Sequence, residues 1–166
     1  TTSWTPELVR ELAETGAVES VDFKGQYKGT IVDVEPDPDL YRLVLDAFPD
    51  AWLEDPHDEL LDMCPPERVS WDAPIHSVQD ILDRPFAPRL VNVKPSRLGG
   101  LRPLLEAYEH CETHGIRMYG GGQFELGVGR GQIQYLASLF HHDGPNDTAP
   151  GGFNDPEPPA GLPASP

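Results

Sequence analysis

Leu90-Val91-Asn92-Val93-Lys94 is the clearest strand in the chain, and Gly99-Gly100 after it opens a strong helix from Leu101 to about His114, closed by Gly115. Reading outward, Ile116 to Tyr119 is the next strand, followed by Gly120-Gly121-Gly122 and a helix over 132–140 whose start can lie several residues earlier. Upstream, Ser77 caps a helix through Leu82, Val69-Ser70-Trp71 is a strand leading to Asp72, and Ala51-Trp52-Leu53 is a strand running into Glu54-Asp55-Pro56. Leu40, Leu43, Val44 and Ala47 recur at helical spacing over 38–48. Val18 to Phe23 is a further strand, and Thr5-Pro6-Glu7 starts a first helix that Gly16 ends. Strands alternating with helices imply a parallel sheet, either open and doubly wound or closed into a barrel.

Composition narrows the classes. The chain has 166 residues, 38% of them hydrophobic, so one domain with a core is expected. A net charge of −16 argues against a nucleic-acid partner, because binding phosphates needs a basic footprint. No apolar run approaches the ~20 residues of a membrane span, and Thr1 to Arg10 does not resemble a signal peptide. Cys64 and Cys111 form no disulfide framework or metal-ligand spacing and fit a reducing compartment, so a cytoplasmic location is expected. The opening on Thr1 without Met is consistent either with residues upstream or with removal of the Met by processing. Gly120 to Gly131 lacks the Lys-Ser/Thr of a P-loop and fits G-x-G-x-x-G poorly. The stretch 144–166, with seven prolines, four glycines and no Lys or Arg, is expected to be an irregular tail, with the barrel portion confined to 1–143.

The polar residues carry the functional signal. Asp22, Glu54, Asp72 and Lys94 each fall at the end of an expected strand. In a parallel barrel these ends meet on one face, where active sites are built. Converging carboxylates repel one another unless protons or a cation lie between them, and a hard, oxygen-ligated ion such as Mg²⁺ is the natural partner. An amine desolvated beside such a site is a candidate acid/base.

These segments resemble the enolase superfamily. Trp52-Leu53-Glu54-Asp55-Pro56 is similar to its fourth-strand signature, and Trp71-Asp72-Ala73-Pro74-Ile75 with 77–81 to its fifth-strand segment. Val91 to Gly100, containing Lys94-Pro95-Ser96-Arg97-Leu98-Gly99-Gly100, resembles the sixth-strand lysine and Gly-Gly of the muconate-lactonizing subgroup, which includes o-succinylbenzoate synthases and dipeptide epimerases. Tyr119 to Arg130 resembles the seventh-strand segment, and His142-Asp143-Gly144-Pro145 the last strand region. The resemblance implies an α/β fold: an incomplete, TIM-like parallel (β/α) barrel of about six strands, lacking the first two strands and the capping domain. It further implies Mg²⁺ on Asp22, Glu54 and Asp72, and Lys94 either as the base that takes a proton from the carbon next to a carboxylate or as the cation that stabilises the intermediate, in a lyase or isomerase reaction. Lys24 joins Lys94 among the candidate catalytic groups, and Glu125, Arg97 and Ser96 are candidate contacts to a small carboxylate-bearing substrate.

Three departures from the family pattern matter. A full barrel takes about 250 residues, and the partner lysine normally lies on the missing second strand. The third-strand segment reads Asp22-Phe23-Lys24, where the family usually has Asp-x-Asn, and side-chain parity points Lys24 at the same region as Asp22. Its ammonium is expected to pair with Asp22 or Glu54 and compete with the metal. Only 17 residues separate Glu54 from Asp72, which leaves room for about one helical turn. The rival reading is a non-catalytic barrel scaffold, or a fragment whose open sheet edges invite self-association.

Overall fold

The computed structural model describes residues 4–123, 125, 127–148, 157 and 160. The chain divides into two compact units, Thr1–Pro74 and Ile75–Pro166.

In the first unit, helix α1 (Pro6–Thr15) begins where the Thr5 hydroxyl accepts the Leu8 N–H at 3.2 Å, and it ends at Gly16 with φ 64°. Strand β1 (Ser20–Asp22) follows. Helix α2 (Pro38–Ala47) is capped by the Asp37 carboxylate, which accepts from Asp39 and Leu40. Strand β2 (Trp52–Glu54) and strand β3 (Val69–Trp71) complete a parallel β1-β2-β3 arrangement, in register at Asp22↔Glu54 and Glu54↔Ser70. The β2–β3 connection is too short for an α-helix plus loops and is made instead by 3₁₀ turns at Asp58–Met63 and Pro66–Arg68. Val9, Tyr41, Val44, Leu53, Val69 and Trp71 are buried, and the Phe23 ring stacks on Tyr41 at 3.9 Å.

In the second unit, Ser77 caps α3 (Val78–Leu82), which leads to β4 (Leu90–Val93), α4 (Leu101–His114), β5 (Arg117–Gly120) and α5 (Val128–Phe140). Strands β4 and β5 pair in parallel from Leu90↔Arg117 to Val93↔Gly120. All four residues of β4 are buried, which explains why the strand reads as a nearly unbroken apolar run. Ile81, Leu104, Ala107, Tyr108 and Cys111 are also buried, and Tyr108 stacks on Phe140 at 4.2 Å.

Two expectations shift. Among the described residues there are five strands rather than about six. The region 142–145 forms turns, and the expected last strand is reduced to one parallel bridge, Gly120↔Asn146. Pro145 has no N–H to give a ladder and contributes only its carbonyl, to Gly120 N at 3.1 Å. Helix α5 begins at Val128, at the early end of the expected range. Most of the tail lies outside the described residues. No described helix is long and apolar enough to cross a membrane.

Candidate metal centre and acid/base site

β1 and β2 run parallel and in register, so their last residues, Asp22 and Glu54, lie side by side. The chain then turns sharply at Asp55, whose φ is 46°. Left-handed backbone is tolerated by Asp more readily than by most residues. This turn carries the Asp55 side chain across to β3, where it accepts the N–H of Asp72 at 2.9 Å and of Ala73 at 2.8 Å. The Asp55 main chain meanwhile donates to Ser70 O at 3.0 Å and accepts from Gly25 N at 2.8 Å. Asp55 thus ties the ends of three strands together.

Oxygens of Asp22, Glu54 and Asp55 lie within 4.8 Å of one another. Asp55 is fully buried, and that burial is the main reason its pKa rises from 3.8 to about 7; the charges of Asp72 and Asp22 add to it, and the two backbone N–H groups oppose it. A carboxylate held near neutrality among two others is a position where a bound cation gains much. The donor set is all carboxylate oxygen, which fits Mg²⁺. Asp72 stands beside this trio. It is 2% exposed and receives the Tyr27 hydroxyl at 3.3 Å.

The sequence places Asp72 in the ligand set, whereas the structure puts Asp55 in the tight cluster. The Asp55 signal was present in Glu54-Asp55-Pro56, but its route into the site is a left-handed turn that strand parity does not describe. Lys24 shows the same effect. It lies beyond the end of β1 with φ 57°, so extended-strand parity is not what aims it. Its backbone N–H donates to Asp22 Oδ1 at 2.8 Å, its ammonium forms an ion pair with Asp22 Oδ2, and the same ammonium sits 5.0 Å from the Tyr27 ring centroid. Burial pulls the Lys24 pKa down, but hydrogen bonding and charge from Asp22, with Tyr27 and Glu54, outweigh it and leave the pKa raised. The expected pairing with Asp22 is therefore present.

His57, in the same unit, is 3% exposed. Its ring lies between the Tyr41 hydroxyl at 2.9 Å and the Val34 carbonyl at 2.9 Å, and the His57 backbone N–H donates to Tyr41 Oη at 2.8 Å. This is a structural tie that fixes the loop after β1. Lys28 pairs with Glu59 at 2.8 Å on the surface.

In the second unit, Lys94 follows directly on β4 and is 7% exposed. Its ammonium lies 3.2 Å from Asp147 Oδ2. Glu125 accepts the N–H of Gln123 at 2.6 Å. Burial raises the Glu125 pKa, but the Ser96 hydrogen bond, backbone N–H groups and the Lys94 charge together leave it lowered. Lys94, Ser96 and Glu125 are therefore neighbours. Arg97 closes the turn after β4 through its N–H to Lys94 O at 2.9 Å. Asp147 had no sequence signal of its own, since it lies in a Pro/Gly-rich stretch with no periodic pattern.

Comparison with known proteins places this arrangement. The chain is 40% identical over 66 residues to the o-succinylbenzoate synthase of Bacillus subtilis (strain 168), a match covering 40% of this chain and 16% of that protein. It is 42% identical over 63 residues to an N-succinylamino acid racemase from Amycolatopsis sp, covering 38% and 17%. Among solved structures it is similar to a dipeptide epimerase from Methylococcus capsulatus complexed with Mg ion, with a TM-score of 0.64 and 24% identity over 92% of this chain and 46% of that one. It is also similar to a probable mandelate racemase from Alicyclobacillus acidocaldarius, with a TM-score of 0.64 and 26% identity over 88% and 39%. The chain thus spans less than half the length of each, and the shared fold is part of a TIM-like barrel. A family model matches residues 1–155. The chain belongs to the family described as "Domain of unknown function (DUF8230) C-terminal domain", and its architecture is that of part of the enolase-superfamily C-terminal barrel.

Proposed function

We propose that the chain is the metal-binding and acid/base portion of a Mg²⁺-dependent enolase-superfamily enzyme. In this reading the enzyme removes a proton alpha to a carboxylate, with a lyase or isomerase outcome. The observation that carries it is the cluster of Asp22, Glu54 and Asp55 at adjoining strand ends, with Asp72 hydrogen-bonded to it through its backbone. A divalent ion bound there would supply electrophilic stabilisation of charge developing on substrate carboxylate oxygens.

Lys94 is the proposed acid/base. A carbon acid next to a carboxylate is very weak, so the group that takes its proton must be held within hydrogen-bond reach and kept from bulk water. Lys94 is nearly buried at the end of β4, which meets the second requirement. Ser96, Arg97 and Glu125 are proposed to orient a small carboxylate-bearing substrate, with Glu125 remaining ionised under the influence of Ser96 and Lys94.

The Lys24–Asp22 pair favours a second reading, a barrel scaffold in which an ammonium has replaced the metal. Exchange of the α-proton with deuterium, followed by NMR in the full-length protein with Mg²⁺, separates the two. An N-succinylamino acid and a dipeptide are suitable first substrates, as the classes acted on by the relatives. Exchange that Lys94→Met abolishes supports the enzyme; no exchange and no Mg²⁺ binding at millimolar concentration supports the scaffold.

A further inference from the structure

Gly120-Gly121-Gly122 matched no phosphate-binding pattern, and the structure gives the run a different use. None of the three needs a left-handed backbone; what each needs is the absence of a side chain. A Cβ on Gly120 would overlap the His141 ring, one on Gly121 would overlap the Asp147 carboxylate, and one on Gly122 would press on Glu125 and Thr148. The segment 145–148 therefore lies directly on the end of β5. Gly120 N donates to Pro145 O at 3.1 Å and Asp147 N donates to Gly120 O at 3.0 Å.

This seating delivers one carboxylate to one lysine. Asp147 Oδ1 accepts the Gly122 N–H at 3.1 Å, while Oδ2 lies 3.2 Å from Lys94 Nζ and 3.5 Å from Asn92 Nδ2. Lys94 has a four-carbon stem with several rotatable bonds, and its ammonium is nearly buried, so it needs both a fixed direction and a counter-charge.

We propose that Asp147 is the positioning residue for Lys94, and that the glycine run exists to let Asp147 reach it. The proposal rests on Lys94 being the acid/base of the proposed function. Asp147 holds the ammonium at the end of β4 and favours its protonated form. Glu125, a carboxylate that the Lys94 charge reaches, adds to that effect.

Competitive labelling of the whole chain with trace acetic anhydride, read by peptide mass spectrometry, tests this without requiring turnover. A failure of catalysis is therefore distinguishable from a failure of positioning. The chain has only three lysines, so Lys24 and Lys28 serve as internal references. Asp147→Asn keeps an acceptor for the Gly122 N–H, removes the charge and turns the oxygen facing Lys94 into an amide NH₂ that cannot accept from it. It is expected to raise labelling of Lys94 about tenfold at fixed alkaline pH, the low end of what loss of an adjacent opposite charge does to an amine, because Asp147 is itself half-exposed. Gly121→Ala leaves every charge in place but displaces the carboxylate, and is expected to act in the same direction. An unchanged Lys94 rate in Asp147→Asn overturns the positioning role, as does an equal rise at Lys24, which would mark general loosening. An unchanged rate in Gly121→Ala overturns the part assigned to the glycine run.

Discussion

Lys24→Asn is expected to tighten Mg²⁺ binding by about tenfold. Asn tolerates left-handed backbone as well as any L-residue, so the turn at φ 57° is retained, and the backbone N–H of residue 24 still donates to Asp22 Oδ1. What disappears is the ammonium on Asp22 Oδ2. A metal that uses Asp22 must first break this pair. A charge-assisted hydrogen bond contributes about 1.5–3 kcal/mol, but the Lys24 side chain is 43% exposed, and solvent screening reduces that to about 1–2 kcal/mol. At about 1.4 kcal/mol per decade, the gain in affinity is about 5- to 30-fold. The same substitution removes the internal counter-ion of three clustered carboxylates. The metal-free variant should therefore melt below the wild type, and millimolar Mg²⁺ should raise its Tm by more than it raises that of the wild type. Because the Lys24 pKa is raised above its ordinary 10.5, mild alkalinity should not relieve the competition in the wild type. Isothermal titration calorimetry measures the affinity directly. Equal Mg²⁺ dissociation constants in wild type and variant would refute the reasoning, because they would mean that the ammonium and the metal do not share Asp22.

Other expectations follow from single contacts. Tyr41→Phe leaves the buried His57 N–H without its acceptor and should cost about 1–3 kcal/mol in chemical denaturation, far more than a surface substitution. Gly25→Ala drives a Cβ into the Pro56–His57 backbone, which has little freedom to move, and should destabilise the first unit, seen as faster amide hydrogen exchange around 55–57. His141 has a pKa lowered from 6.5 by burial, so the folded chain resists its protonation; its contribution to stability is present above about 6.5 and lost as the pH falls below it, a loss that His141→Gln should reduce in a pH series of melting curves. Cys64 and Cys111 are buried thiols pushed up to about 11 and about 12, so neither should react with Ellman's reagent at neutral pH until the chain is unfolded.

Much of the architecture was legible before the fold was known, because its signals are local. Thr5-Pro6, Ser77 and the closing Gly16 and Gly115 mark helix ends through caps that involve only neighbours in sequence. The apolar run of β4 reports burial on both faces, and the 17 residues between Glu54 and Asp72 limit that connection to 3₁₀ turns by length alone. Asp22 and Glu54 were nameable because each ends a strand, and Lys94 because it directly follows one.

What the sequence alone determined, then, is the order of elements and which residues end them. The tertiary structure decided which of those residues meet. Asp55 enters the carboxylate cluster through a left-handed turn that a strand's alternation does not describe, and Lys24 meets Asp22, as its position suggested, but from a left-handed turn beyond the strand end. Asp147 reaches Lys94 across more than fifty residues of chain, over a glycine run whose purpose depends on the segment lying against it. Alternation and capping are properties of adjacent residues, whereas ion pairs and close backbone approach depend on where distant segments come to rest.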